Sequence, residues 1–367
     1  MIEEHLERIM KSSVDEVEEL AILKESMCEN DFYLMLQQEL SKFIHNPKIV
    51  SMLIDTSNNT YELNRLFQMK GSAWYSDSIS SFCNLFREAI KSNKCAVIDI
   101  VESEYPRVHQ SLENYHDSYF LQNQNASEKE RHVVRAYFRM MGDTIESAHF
   151  PLIHFIYKIL TLTPSSPLHR RPLNVSNGKA VSELLEHSNL NIPLKENLHG
   201  VSLNHWRNIS SHSSYRYDNT KKSIICTYGG DKEKILSLSD LERLMVNLDV
   251  LQALLKTCVE FPILEFMREF NLLESLEVTE ESIFSQLGTS LPIHGYKFKG
   301  IEKNQKEWII QVEDRWSRDP ELFVKDSNAF IHPILMLKHN GINAKIEFFD
   351  ISGKSVKELY FQVGDNK

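Results

Sequence analysis

Glycine and proline are scarce in this sequence, whose 367 residues include 12 glycines and 11 prolines. That is about half the share found in ordinary globular proteins, and turn-rich all-β folds depend on these two residues. No apolar run is long enough to cross a bilayer, since the most apolar stretch, residues 151–162, contains a histidine and a lysine. These absences predict a mainly helical protein that does not enter a membrane.

Sequence motifs for several kinds of chemistry are also missing. There is no Walker loop and no Gly-x-Gly-x-x-Gly segment, which argues against a motor driven by nucleotide triphosphates. The five cysteines form no Cys-x-x-Cys pair, and an odd number cannot all be joined in disulfides. The first ten residues, MIEEHLERIM, contain no apolar signal core. We therefore expect reduced thiols, a cytoplasmic location, and neither a metal nor another cofactor.

Acidic residues outnumber basic ones, and the net charge is −10. This balance excludes a protein coated uniformly with positive charge for binding nucleic acid. Residues 163–222, however, contain eight Lys and Arg residues but only four Asp and Glu residues; we call this segment the basic island. Because salt screens charges over about 8–10 Å, such an island can hold a polyanion although the whole chain is acidic.

The spacing of apolar residues predicts a series of helices through the middle of the chain. The predicted helices are residues 131–160, 178–187, 202–212 and 239–261. Pro151 should kink the first of them, because proline has no backbone N–H to donate. Ser239-x-x-Glu242 predicts a capping box at the start of the last one. The polar stretch 105–131 is predicted to contain a loop and a domain boundary.

Strand patterns follow these helices. KSIICTY and KEKILSL flank Gly229-Gly230-Asp231, which is typical of a β-hairpin. The C-terminal strand candidates are YKFKG, EWIIQVE, HPILMLKH, NAKIEFFD and KELYFQV, with turn signals at Asn340-Gly341 and Ser352-Gly353. The predicted segments are an N-terminal helical region (1–130), a helical domain with the inserted hairpin (131–270) and a smaller C-terminal α+β module (271–367).

The segment that can carry chemistry is HWRNISSH, residues 205–212. An arginine and a histidine that meet at one phosphodiester suffice for cleaving RNA without metal. A histidine, whose ordinary pKa near 6.5 suits both roles, takes the proton of the 2′-hydroxyl or protonates the leaving 5′-oxygen. A planar arginine cation binds the phosphate and stabilises the charge that builds on its oxygens. Arg207 and His212 are the candidates, and Asn208 can orient the histidine or donate to the phosphate.

The spacing alone carries little weight, because about 0.6 Arg-x4-His matches are expected by chance in a chain of this composition. Requiring Asn directly after Arg lowers that number to roughly 0.04. The alternative interpretation is a surface ion-pairing or helix-capping feature with no chemical role.

In its context, this motif resembles the signature of the HEPN (higher eukaryote and prokaryote nucleotide-binding) superfamily. The resemblance rests on an Arg-polar-x3-His element near the end of a short helix, after a long helix pair and before a hairpin and another long helix. Arg207 and His212 match the signature, and Asn208 matches its polar position. Toxin members often carry a tyrosine two residues after the histidine, whereas Tyr215 follows here at three. The resemblance implies a mainly α fold, with a HEPN-like helical bundle that dimerises and places two motifs across a shared groove.

For function, the resemblance implies a metal-independent endoribonuclease in an antiviral-defence or toxin–antitoxin context. The implied partners are RNA, a second copy of the chain, and an antitoxin or another defence-system component. The alternative from a different class is a non-catalytic HEPN-like dimer that binds RNA or scaffolds a defence complex.

Other residues near the motif are predicted to assist it. The predicted RNA-binding residues are Tyr215, Arg216, Lys221 and Lys222. Trp206 can stack on bases, although a core position is an equal alternative. Glu146 is predicted to lie on the long helix facing the motif and to support Arg207. Glu146-x-x-His149 also has the carboxylate–histidine spacing of di-iron bundles, but those sites need a second such pair, and the sequence has none.

The spacing of the two motif residues also bears on assembly. Residues five apart diverge by about 140° around an ideal helix, so Arg207 and His212 do not share a face. They converge only if the helix unwinds at Ser210-Ser211, or if a second subunit supplies one of them. The sequence therefore predicts a site at a helix end and at a dimer interface.

Overall fold

A computed structural model of the chain describes residues 10–11, 17–55, 60–122, 129–272, 280–304, 307–315, 319, 321, 323 and 343–361. These residues are mainly helical, as the sequence predicts, and they include a three-stranded and a four-stranded sheet. They form two compact units, one made of residues 1–70 with 277–367 and the other of residues 71–276. Among these residues, no helix combines the length and apolar character needed to span a membrane.

The helices are named in chain order. They are α1 (Glu18–Glu25), α2 (Glu29–Leu40), α3 (Pro47–Asp55), α4 (Thr60–Gln68), α5 (Ala73–Gln122), α6 (Glu130–Thr144), α7 (Phe150–Leu162), α8 (Asn177–His187), α9 (Asn191–Leu194), α10 (Leu203–Ser211), α11 (Leu238–Glu265) and α12 (Glu280–Ile293). The strands are β1 (Tyr215–Asp218), β2 (Ser223–Tyr228), β3 (Lys232–Leu236), β4 (Tyr296–Asn304), β5 (Glu307–Asp314), β6 (Asn343–Phe349) and β7 (Ser355–Phe361).

The first unit combines the N-terminal helices with the C-terminal sheet. Strands β4 to β7 lie in sequence order, with β5 and β6 parallel and the other neighbours antiparallel. The Trp308 ring of β5 is buried and meets Phe284 of α12 at 5.0 Å between ring centroids. Four of the five predicted strands are confirmed; HPILMLKH and the turn signal at Asn340-Gly341 lie outside the described residues.

This grouping differs from the three predicted segments, because α5 belongs with the second unit and continues through the polar stretch 105–131 as far as Gln122. The loop predicted there is thus helical over residues 105–122. Val108 and Ser111 are on the buried side of α5 in this stretch, and Val101 is buried just before it. Ser111 is fully buried and its hydroxyl donates to the Val108 carbonyl at 2.6 Å. Because Ser111 is polar but occupies a core position, the spacing of apolar residues does not reveal the helix in this stretch.

The second unit is a helical bundle built around α5, α7 and α11. Most side chains of α7 are buried, which explains its apolar sequence. Two partly buried ion pairs join the helices: Arg87 to Glu265 at 2.7 Å and Lys158 to Glu104 at 2.6 Å. Residues 71–276 thus pack as one body around a helical core.

The predicted helix 131–160 is divided into α6, a π turn over Ile145–His149, and α7. The π turn ends two residues before Pro151, which cannot donate a hydrogen bond to the carbonyl four residues earlier, that of Ser147 within the turn. This wide turn belongs to the class of helix irregularity that is often found at functional sites.

The predicted hairpin is confirmed as β2 and β3, and the unpredicted strand β1 pairs with β2, placing Tyr215 opposite Cys226. The capping box of α11 is formed by Ser237 and Asp240 rather than by the predicted Ser239 and Glu242. The capping serine therefore lies two residues earlier than the sequence indicates.

Candidate functional site

Helix α10 carries the motif and is anchored by its buried side. Trp206 is fully buried, and its indole N–H donates to the Leu198 carbonyl at 2.9 Å. Leu203 and Ile209 are buried beside it. Trp206 is therefore a core residue rather than a platform for bases, and Arg207 and Asn208 lie half-exposed.

The C-terminal end of α10 is a closed cap rather than a frayed end. The Ser214 N–H donates to the Ile209 carbonyl at 2.9 Å, and the Ser213 N–H donates to Ser210 at 3.3 Å. Ser213 has φ +52°, the left-handed conformation that usually requires glycine at this position. His212 is the capping residue just before it, and its N–H bonds to the Asn208 carbonyl.

The expected unwinding at Ser210-Ser211 does not occur, because both residues are within regular helix. Arg207 and His212 therefore keep the divergence of about 140° that their spacing imposes. Within one chain, helix unwinding does not bring the two side chains onto one face.

The long helix comes very close to α10 at a single glycine. A Cβ added at Gly142 of α6 would lie 3.1 Å from the Cβ of Ser210. Such a distance is shorter than ordinary side-chain contacts, so glycine permits this approach. It brings the neighbouring π turn, and with it Glu146, to the exposed side of α10.

Glu146 and Asn208 hold the Arg207 guanidinium. Arg207 Nε donates to Glu146 Oε2 at 2.5 Å, and Arg207 Nη1 donates to Asn208 Oδ1 at 3.3 Å. The two charged side chains are 31% and 47% exposed, so their pairing adds little stability, about 0–1 kcal/mol. Of the five N–H groups of the guanidinium, three remain uncommitted within the described residues. The structure brings Glu146 and Asn208 to Arg207, whereas the supporting role of Glu146 and the catalytic role of Asn208 stay predictions.

His212 is exposed, and no hydrogen bond or ion pair holds its imidazole among the described residues. The Asn208 amide oxygen faces Arg207. The ring of His212 is thus accessible to a ligand, and its orientation is not fixed from within the described part of the chain.

The predicted RNA-binding residues differ in availability. Tyr215 stacks on Phe138 of α6, with ring centroids 3.9 Å apart and an interplanar angle of 15°. Burial raises the pKa of Tyr215. Arg216 and Lys221 are exposed, whereas Lys222 is engaged with Glu130 at 2.6 Å. One face of the Tyr215 ring and the ammonium group of Lys222 are therefore already in contact with other residues of the protein.

Glu146 and His149 point in different directions, although they lie in the same π turn. Glu146 meets Arg207 at the surface, while His149 is completely buried. Burial lowers the pKa of His149 to about 3, with a smaller opposing effect from the backbone of Leu248. In the described part of the chain, no group of three or more His, Cys, Asp or Glu side chains is placed to hold a metal ion.

A separate cleft of about 540 Å³ lies at the start of α10, and no sequence signal indicates it. His205, Tyr228 and Lys232 line it, with Lys195 and Ser202 nearby on its wall. Burial, with an additional effect of the Lys232 charge, lowers the pKa of His205. The motif helix therefore has polar surfaces at both of its ends.

Sequence reasoning also missed Gly142 and Ser213, which shape the site through the backbone. A glycine inside a helix signals close packing, but nothing local identifies the neighbour it meets. Comparison with known proteins gave no match among protein families, curated proteins or solved structures. The HEPN resemblance therefore rests on the motif and its context.

Proposed function

We propose that this protein is a metal-independent endoribonuclease of HEPN type, with Arg207 and His212 as its catalytic residues. The observation that carries the proposal is the environment of Arg207. Glu146 and Asn208 orient its guanidinium at the surface, and three of its N–H groups remain for a ligand. His212 presents an accessible imidazole at the end of the same helix.

The chemistry needs only these two kinds of group. A histidine takes the proton from the 2′-hydroxyl, the 2′-oxygen bonds to phosphorus, and the bond from phosphorus to the 5′-oxygen breaks. The departing oxygen gains a proton, leaving a 2′,3′-cyclic phosphate and a 5′-hydroxyl end. Arg207 stabilises the negative charge that develops on the non-bridging oxygens.

The proposal includes a symmetric homodimer. Because α10 stays regular, the divergence of Arg207 and His212 favours a site to which two copies contribute. In such a groove, one His212 can accept the proton while the second donates to the leaving group. An antitoxin or defence-complex partner and a cytoplasmic location belong to the same proposal.

One observation favours a second candidate, a non-catalytic HEPN-like dimer that binds RNA or scaffolds a defence complex. No described residue orients the imidazole of His212, whereas general bases are usually held by a hydrogen bond from a third group. The same exposed arginine and histidine can hold a phosphate without cleaving it.

The deciding experiment incubates the purified chain with a labelled single-stranded RNA in the presence of EDTA. We expect cleavage that leaves 2′,3′-cyclic phosphate and 5′-hydroxyl ends, and no cleavage of RNA with 2′-deoxyribose at the cleaved position. Cleavage that strictly needs Mg²⁺, or equal cutting of DNA, contradicts the mechanism. Tight binding without cleavage favours the second candidate.

A further inference from the structure

The exposed side of α6 carries three arginines in a row. Arg131, Arg135 and Arg139 follow one another at intervals of four residues and are all exposed. Val134, Phe138 and Met141 fill the buried side of the same helix. Each arginine lies about 6 Å farther along the helix axis than the one before it, and about 40° farther around the helix. The three side chains therefore form one gently curving row. We call this row the arginine ridge.

None of the three arginines has an ion pair or hydrogen bond with another described residue. The acid nearest to them in sequence, Glu130, is engaged by Lys222 and accepts a hydrogen bond from the Tyr217 hydroxyl. These contacts lower the pKa of Glu130, so its charge is kept and is balanced by Lys222 rather than by the ridge. The next acid on this side of the helix is Asp143, one turn beyond Arg139. Within the described part of the chain, the ridge therefore carries positive charge that no ion pair balances.

The ridge runs beside the segment that contains the motif. Ser210 packs against Gly142, Tyr215 stacks on Phe138, and Tyr217 reaches Glu130, so residues 210–217 run antiparallel to α6. His212 falls between the first two of these contacts. Arg139 is the exposed residue of α6 at that level, and the charge of Arg135 acts on Tyr215.

We infer that the arginine ridge binds the sugar–phosphate backbone of an RNA strand and leads it to Arg207 and His212. This inference rests on the proposed function, since it names the path of that enzyme's substrate. Arginine binds phosphate through paired N–H groups. Because the rise between successive arginines is about 6 Å, their guanidinium groups can contact successive phosphates of one strand. Asp143 follows Arg139 on α6, and Glu146, in the π turn that follows α6, pairs with Arg207, so Arg207 lies beyond the end of the ridge.

The test measures RNA affinity apart from cleavage. The probe is a fluorescent single-stranded oligonucleotide with 2′-O-methyl groups throughout, which cannot undergo 2′-oxygen attack. The variant combines Arg131→Gln, Arg135→Gln and Arg139→Gln in the full chain. If each arginine holds one phosphate, removing three contacts should weaken binding roughly 100-fold at 0.1 M salt and reduce the slope of log K against log salt by about 2.

A matched control removes the same charge from elsewhere in the second unit. Lys91, Arg243 and Arg268 are exposed and lie away from α6 in sequence, and the combination Lys91→Gln, Arg243→Gln and Arg268→Gln should change affinity less than threefold. A triple Arg→Lys variant of the ridge should retain most of the affinity and the full salt slope, which shows that the effect is not loss of the fold. Equal losses in the ridge variant and the control, or wild-type affinity in the ridge variant, overturn the inference.

The outcome is separable from that of the proposed function. His212→Ala should stop the cleavage of RNA but weaken binding of the same probe far less than the ridge variant does, because at most one phosphate contact is lost and the ridge is intact. If no cleavage is found but the ridge variant loses affinity, the RNA path stands and the enzyme proposal fails. If RNA is cleaved and the ridge variant binds as well as wild type, the enzyme proposal stands and the ridge serves a different ligand, such as an acidic protein.

Discussion

Two places in the second unit pair a histidine with a charged residue a few positions away, and they have opposite surroundings. At the end of α10, His212 is exposed and Arg207 is half-exposed. In the π turn, Glu146 is exposed, but His149 is completely buried and its pKa is lowered to about 3. His149 therefore stays neutral at physiological pH, whereas the imidazole of His212 is open to solvent and ligands.

The difference shows that residue spacing alone does not identify a chemical site. Arg207-x4-His212 and Glu146-x-x-His149 are both short patterns of plausible ligands or catalysts. What separates them is the position of each histidine relative to the core, which depends on packing between α6, α10 and α11. The following predictions test this contrast, beginning with the largest expected effect.

The contrast is tested most strongly at His212. His212→Ala should lower the rate of RNA cleavage by roughly 10²–10⁴-fold, which is the usual contribution of a general acid or base. The measurement is the single-turnover rate in EDTA, with far-ultraviolet circular dichroism to confirm folding. His109→Ala, a half-exposed histidine on α5, is the control and should retain wild-type activity. Wild-type cleavage by His212→Ala contradicts the proposed mechanism.

Arg207 should show a slightly smaller effect. Arg207→Ala should lower the cleavage rate by roughly 10²–10³-fold, because a preorganised donor to the charged transition state is lost. Arg207→Lys should restore only part of it, since an ammonium group cannot bind Glu146, Asn208 and a phosphate in the geometry of a planar guanidinium. Arg243→Ala removes an exposed arginine on α11 and serves as the control. Full activity in the lysine variant contradicts a role for the guanidinium geometry.

His149 should affect stability in acid rather than catalysis. Its pKa is about 3 in the folded protein and about 6.5 in the unfolded chain, so below pH 6.5 the unfolded chain binds a proton that the folded protein does not. Between pH 7 and pH 5 this difference should cost about 2 kcal/mol of the free energy of unfolding. Urea unfolding at both pH values should show a correspondingly smaller loss in His149→Gln. Parallel losses in the two proteins would mean that His149 is not buried in its neutral form.

The smallest effect is expected at the cap of α10. Ser213→Gly should raise the free energy of unfolding by about 0.5–1 kcal/mol, because glycine adopts a positive φ without the steric cost that a Cβ imposes. Ser211→Gly is the matched control and should lower stability by a similar amount or less, since Ser211 is the last helical residue. Thermal unfolding measures both changes. If Ser213→Gly is destabilising, the left-handed cap does not describe the end of α10.

Local sequence signals predicted the parts of this fold that are built locally. The helical spacing of apolar residues predicted α8, α10 and the segments that form α6 and α7. The turn signal at Gly229-Gly230 predicted the hairpin. Strand β1 was missed because Tyr215–Asp218 is polar and becomes a strand only by pairing with β2. The grouping of the N-terminal helices with the C-terminal sheet depends on contacts between distant parts of the chain. Nothing in either segment alone specifies them.

The candidate site was predictable to the same extent. The motif residues can be read from the sequence, and a long helix carrying Glu146 was expected to face Arg207. The closeness of α6 and α10 could not be read, because Gly142 and Ser210 are 68 positions apart in the sequence and each is unremarkable in its own helix. The arginine ridge was not predicted either, because Arg131, Arg135 and Arg139 lie outside the basic island.

The buried indole of Trp206 has a consequence for the kinetics of this protein. The indole fixes the rotation of α10 about its own axis. Turning the helix would pull Trp206 from the core and break its hydrogen bond to the Leu198 carbonyl. A single copy therefore cannot present Arg207 and then His212 to the same phosphate by moving the helix. If two copies complete the site, as proposed, the rate of RNA cleavage by dilute protein should depend on the square of the protein concentration. Dilution and association would then switch the activity, with no change of shape within the subunit.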